Sequence, residues 1–201
     1  MSNYTTLASF QVDTAILAIV DRHADANGVP RNVVRAIVLA ESGMNPGAVG
    51  DGGWSPGLLQ LYRNGGQGDG YTHEQLLDPE TNMRVGMVAI RDAWTRTAAL
   101  QGAERVRRTA GLSGHPRDPQ ALDHGYPREQ VEASIERIVG IWQQLESDDP
   151  QAAPAQFAGL VPIVDAGTIN DTLDRGAAWL REHRAEAVVA AGAALAAMLL
   201  A

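Results

Sequence analysis

An all-α fold is what this chain predicts, on three observations. Apolar residues recur at helical spacing in one segment after another. Helix start and stop signals punctuate those segments. Aromatics make up only 5% of the 201 residues, so the core must be packed from aliphatic side chains and alanine.

The first helix is predicted from Leu7 to Ala26, with Leu7, Phe10, Ile16, Leu17 and Val20 along one side. Asn27-Gly28 ends it, Gly being the residue that tolerates a left-handed cap. Pro30 is expected at the first position of the second helix. Val33, Val34, Ile37, Val38 and Ala40 make that helix strongly apolar, and Glu41 follows one turn after Ile37. Residues 43–70 are rich in Gly and contain Pro46 and Pro56, which predicts a long loop with room for a short hairpin. Thr72 with Gln75 forms a capping-box pattern, and Asp78-Pro79-Glu80 is a second start signal. It leads into a helix carrying Met83, Met87, Val88, Ile90 and Trp94. A short Arg-rich helix is predicted over Ala103 to Ala110, then loop from Gly111 to Gly125. Pro127 is expected to start a helix through Val131, Ile135, Ile138, Val139 and Trp142 that ends near Ser147.

Composition shifts at that point. The domain boundaries predicted are 1–147 for the main domain, 148–169 for a linker rich in Pro, Ala and Gln, and 170–201 for a C-terminal helix. The last helix is amphipathic around Trp179, Leu180, Arg181 and Arg184 and uncharged over residues 187–201. Those 15 residues would span roughly 22 Å as a helix, short of the ~30 Å of a hydrocarbon core, so a membrane span is not expected. Burial against other copies of the chain or a partner protein is expected instead.

The formal net charge is -8, and all 16 basic residues are Arg. An acidic chain without a basic stripe argues against nucleic-acid binding and gives no attraction to anionic lipid. The absence of Cys excludes disulfides, thiolate metal sites and a Cys nucleophile. His23, His73, His115 and His124 show no ligand spacing, so neither a metal nor a cofactor is expected. The N-terminus has no basic region before an apolar run, and no secretory signal peptide is read there.

The chemistry centres on Glu41. A carboxyl on the wall of an apolar helix loses solvation, and its pKa rises toward the range a general acid needs. Taken alone, one helix-borne Glu before a Gly-rich loop is also what a solvent-facing helix end looks like. Asp51, beside Gly50, Gly52 and Gly53, is a possible second carboxylate and equally a turn residue. Trp54 and Tyr62 are aromatics that either stack on a ligand or fill core.

The order of residues around Glu41 adds to this. Glu41-Ser42, Asn45-Pro46, Ser55 and Gly57-Leu58-Leu59-Gln60 together resemble the soluble lytic transglycosylase and goose-type lysozyme superfamily. Leu77-Asp78-Pro79-Glu80-Thr81-Asn82 looks like that family's Asp-Pro-x-x-Asn helix start, and Tyr126-Pro127 looks like the entry to its closing helix. The likeness runs from about residue 10 to 146. One family segment, Ala-Tyr-Asn-Ala-Gly, is replaced here by Thr109-Ala110-Gly111-Leu112-Ser113-Gly114-His115-Pro116. The resemblance implies a lysozyme-like domain that cleaves the β-1,4 bond between N-acetylmuramic acid and N-acetylglucosamine in peptidoglycan. Glu41 would be the single acid and base, and the product a 1,6-anhydro sugar. Asp residues in this loop of goose-type members keep a hydrolytic muramidase as the alternative. Ser55, Gln60, Trp54, Tyr62, Asn82, His115 and Tyr126 would lie along the glycan. Asn82 would either anchor the loop or meet an acetamido group.

The Leu61–Gly66 run and the Gly114-His115-Pro116 loop look like phage-borne members. With no signal read at the N-terminus and an apolar 187–201 segment, the expectation is a virion-associated enzyme. It would act in the host wall and be held by other virion proteins or by itself. An endolysin, a non-catalytic virion protein on the same fold, and a tail-driven membrane effector are the other readings.

Overall fold

The structure is a computed structural model that describes residues 3–114 and 128–148. The chain divides into two compact units, Met1–Gln156 and Phe157–Ala201, and every described residue belongs to the first. The predicted linker, the C-terminal helix, His115, Tyr126 and Pro127 lie outside the described residues.

Among the described residues six helices carry the fold. α1 spans Thr14–Ala26, α2 Arg31–Ser42, α3 His73–Leu77, α4 Pro79–Arg96, α5 Gly102–Gly114 and α6 Arg128–Asp148. Two small antiparallel ribbons accompany them: β1 (Tyr4–Leu7) with β2 (Phe10–Asp13), and β3 (Val49–Gly50) with β4 (Ser55–Pro56). α2 packs between α1 and α6; α1 also packs on α4, α4 on α5, and α5 on α6, which closes a circuit of helices.

α2 is buried at every position from Asn32 to Leu39. Two of those residues are polar, and both are satisfied. The Arg35 guanidinium donates to both Asp21 oxygens at 2.7 Å and to Asn32 Oδ1 at 3.1 Å. Asn32 Nδ2 donates to Glu146 Oε1 at 2.9 Å. This network joins α1, α2 and α6, and removing the Asp21 carboxylate would strand the buried Arg35 guanidinium, at a cost of about 3–5 kcal/mol.

Most start signals are where the sequence puts them. Thr72 and Gln75 form a complete capping box. Asp78 accepts from Thr81 N at 2.9 Å, and Pro79 opens α4. Gly28, at φ 65°, follows α1 as expected. Pro30 sits one residue earlier than predicted, as the N-cap of α2.

Three expectations are corrected. Residues 7–13 are not the first turns of α1 but half of a hairpin. Leu7 pairs with Phe10 across Ala8 and Ser9, whose positive φ values of 44° and 72° suit a tight two-residue connection. Asp13 then caps α1, accepting from Ala15 N at 2.7 Å. The extended-chain residues Tyr4, Thr5, Thr6, Phe10 and Val12 carried that signal, and the apolar spacing into Ile16 and Leu17 masked it. α5 also continues to Gly114, four residues beyond the predicted end. Gly111 lies against Ile135 of α6, and Thr109 Oγ1 meets Thr97 Oγ1 at 2.9 Å, so helix packing overrides the low helix propensity of glycine. Val88, read from sequence among the apolar residues that mark α4, is 57% exposed.

The loop between α2 and α3 is anchored by its own apolar residues. Leu58, Leu59 and Leu61 are buried, each burial contributing about 1.5–3 kcal/mol. Asn82 holds the same segment by polar contacts. It is fully buried, donates to Pro56 O at 3.0 Å and Leu76 O at 2.8 Å, and accepts from Leu59 N at 2.8 Å. Gly57 makes this possible: its φ is 88°, and a Cβ there would overlap the Asn82 amide and the Leu76 carbonyl.

Asn82→Ala would leave these buried backbone groups unpartnered. The expected loss is about 2–4 kcal/mol, read as a lower urea midpoint at unchanged slope. A midpoint within a few tenths molar of the parent protein would mean that the leucines alone hold the loop.

Candidate active site

Glu41 lies in the last turn of α2, two residues before the Gly43 cap at φ 64°. Gly43 turns the chain out of the helix, Met44 anchors it in the core, and Asn45 forms a side-chain turn by accepting from Gly47 N at 3.0 Å. The backbone then runs into β3, the short turn Asp51–Gly53 and β4. A rigid helix and an anchored loop therefore meet beside one carboxyl.

Burial pushes the Glu41 carboxyl up from 4.5 to about 7. The Arg137 guanidinium opposes that rise, and the Asp51 carboxylate adds to it. Glu41 nevertheless keeps an exposed surface. Desolvation lets it hold a proton near neutrality, and its exposed surface leaves it open to deliver that proton.

Asp51 adopts a left-handed backbone, φ 48°, at the start of its turn and accepts a hydrogen bond from the Ser55 hydroxyl. Ser55 is itself 1% exposed. Asp51 is thus a turn residue, and its carboxylate lies near enough to act on Glu41. Gln60 spends its amide N–H groups on Gly57 O at 2.7 Å and Ala48 O at 3.3 Å, which ties the two ends of the β3–β4 ribbon together.

Trp54 and Tyr62, on the same loop, are 48% and 40% exposed. Arg63 N donates to Trp54 O at 3.0 Å and Gly68 N to Tyr62 O at 2.9 Å, so the backbone beneath both rings is held. Of the residues assigned to the glycan from sequence, these two present side-chain surface, whereas Ser55 and Asn82 are turned inward. Asn82 takes the loop-anchoring role, because its side-chain amide bonds the buried backbone of Pro56, Leu59 and Leu76. Where the Ala-Tyr-Asn-Ala-Gly segment is absent, Ser113 at the end of α5 accepts from Gln67 Nε2 at 2.7 Å and links the loop to that helix. Neither Gln67 nor Arg137 is marked by any motif. Among the described residues no cluster of three or more His, Asp or Glu could hold a metal, and no helix is long and apolar enough to cross a membrane.

The raised carboxyl has a consequence for stability. Its folded pKa exceeds its unfolded value, so between about 4.5 and about 7 the unfolded chain releases a proton that the folded protein keeps. Stability from this group is complete below 4.5 and declines as pH rises to about 7. Glu41→Gln removes that decline. The variant is expected to match the parent Tm at pH 4 and exceed it at pH 8; equal Tm differences at both pH values would contradict the buried carboxyl.

No curated protein and no solved structure matches the chain. The family model described as "Transglycosylase SLT domain" matches residues 18–107, from the middle of α1 into α5, with Glu41 and the whole anchored loop inside it. Over those residues the chain is similar to the transglycosylase SLT domain of the lytic transglycosylase and lysozyme-like superfamily.

Proposed function

We propose that this protein is a peptidoglycan lytic transglycosylase in which Glu41 is the only catalytic carboxyl. The SLT match supports peptidoglycan as the substrate and a transglycosylase-type activity. The observation that carries the residue assignment is a carboxyl with a pKa of about 7 that keeps an open side. The one other carboxylate acting on it among the described residues, Asp51, is engaged by the Ser55 hydroxyl.

In the forward step the Glu41 proton passes to the glycosidic oxygen as the bond from that oxygen to C1 of the muramyl residue breaks. The 2-acetamido group of the sugar supports the developing cation, a recognised exception to the two-carboxylate rule. The Glu41 carboxylate then takes the proton of the muramyl 6-hydroxyl while that oxygen bonds to C1. The product is a 1,6-anhydro end, and no water is consumed. A muramidase would instead use Asp51 to activate a water and would leave a reducing end.

The test is digestion of purified peptidoglycan followed by mass spectrometry of the ends. Glu41→Gln is expected to lower the rate 10²–10⁴-fold, on the order of other lost acid catalysts. Activity of the parent should fall as pH rises through about 7, where Glu41 loses its proton. Asp51→Asn should retain anhydro product at a rate within about tenfold of the parent, since no water needs activating. Reducing ends, lost with Asp51→Asn, would establish the muramidase.

Attachment is a separate part of the proposal. The uncharged run of residues 187–201 has no polar side to leave in water and is suited to burial between chains. A phage particle that carries the enzyme to the wall, with this run buried against itself or a virion protein, accounts for it. Removal of residues 150–201 should leave an active monomer, whereas the full chain should associate in light scattering. A full-length monomer with residues 187–201 protected from protease would refute the docking role.

A further inference from the structure

Arg137 lies on α6, outside the residues that match the family model, yet its charge acts on Glu41. The helix register explains how. Asn32 near the start of α2 donates to Glu146 near the end of α6 at 2.9 Å. Glu41 is nine residues after Asn32, and Arg137 is nine residues before Glu146. Each pair is about 13 Å apart along its own helix, so the antiparallel packing of α2 on α6 brings Glu41 and Arg137 level. Arg137 is exposed and precedes Ile138 and Val139, which are buried.

Arg137 is also uncommitted. The positions three and four residues to either side are Ala133, Ser134, Gly140 and Ile141, so no carboxylate sits at helical pairing distance. The nearby acids of α6 are taken by other arginines: Glu136 by Arg107 at 2.7 Å and Glu132 by Arg128 at 2.8 Å. Arg137 makes no hydrogen bond or ion pair among the described residues. The charged groups acting on Glu41 are Arg137 from α6 and Asp51 from the loop; on α1, Asp21 is occupied by Arg35.

We propose that Arg137 is a positioning residue for the reaction, a cation level with Glu41 that stabilises the carboxylate formed when Glu41 gives up its proton. It acts through Glu41 and does not touch the sugar. Burial alone would make Glu41 hold its proton too firmly; Arg137 lets the acid release it and keeps the carboxylate available for the second transfer. Asp51 acts in the opposite sense. This inference rests on Glu41 being the acid.

Two readouts test it, one of them independent of activity. The ionisation of the Glu41 side chain is followed by ¹³C NMR of its carboxyl carbon in the full chain, and the pH dependence of kcat/KM on peptidoglycan is measured in parallel. Arg137→Gln is expected to move the carboxyl titration and the alkaline limb of the activity profile to higher pH together. Arg137→Lys, which keeps the charge, should leave both close to the parent. An unmoved titration in Arg137→Gln overturns the proposal. If KM then also rises at every pH, Arg137 binds an anionic group of the peptidoglycan instead. If the titration moves but Glu41→Gln remains active, the coupling is real, the acid is another residue, and Arg137 has no part in the reaction.

Discussion

The structure depends on α2 being enclosed from Asn32 to Leu39 and opening to solvent again at its last turn. Enclosure fixes the helix against α1 and α6, and it forces a partner on each polar residue within it. Arg35 is answered by Asp21, and Asn32 by Arg35 and Glu146. These contacts add specificity more than raw stability, because a buried ion pair recovers little beyond its own desolvation. They set how α1, α2 and α6 lie against one another, and so where the end of α2 emerges.

The loop after α2 is held by a different device. Its leucines are buried as a core segment would be, and the Asn82 side chain satisfies its buried backbone groups at Pro56 and Leu59. A long connection usually pays for its irregular backbone with solvent exposure. Here burial on one side and a buried amide on the other let the loop keep left-handed residues at Asp51 and Gln60. Rigid support on both sides is what an acid needs if it is to meet its substrate without reorganising first.

Electrostatics complete the arrangement. Desolvation raises the proton affinity of Glu41, Asp51 raises it further and Arg137 lowers it. The balance falls near neutrality, where one group can both donate and accept a proton within a reaction cycle. The SLT family match covers Glu41 and its loop but not α6, so part of the electrostatic setting of Glu41 is supplied from beyond the matched residues.

Much of this was legible in the amino-acid sequence, because it depends on neighbours in the chain. The caps at Thr72 and Asp78, the apolar side of α2 and the position of Glu41 one turn past Ile37 all follow from local spacing. The motif order around Glu41 was legible for the same reason. Tertiary structure decided the rest. Apolar spacing alone could not separate a strand running into a helix from one longer helix, so the hairpin at residues 4–13 emerged only when Asp13 capped α1. Nor could it foresee that α5 would run on through Gly111 once α6 covered that side. The inward turn of Asn82, the hold of Ser55 on Asp51 and the alignment of Arg137 with Glu41 join residues 23, 4 and 96 positions apart. Hydrogen bonds and charges act through space, and only the folded helices determine which of them lie within reach.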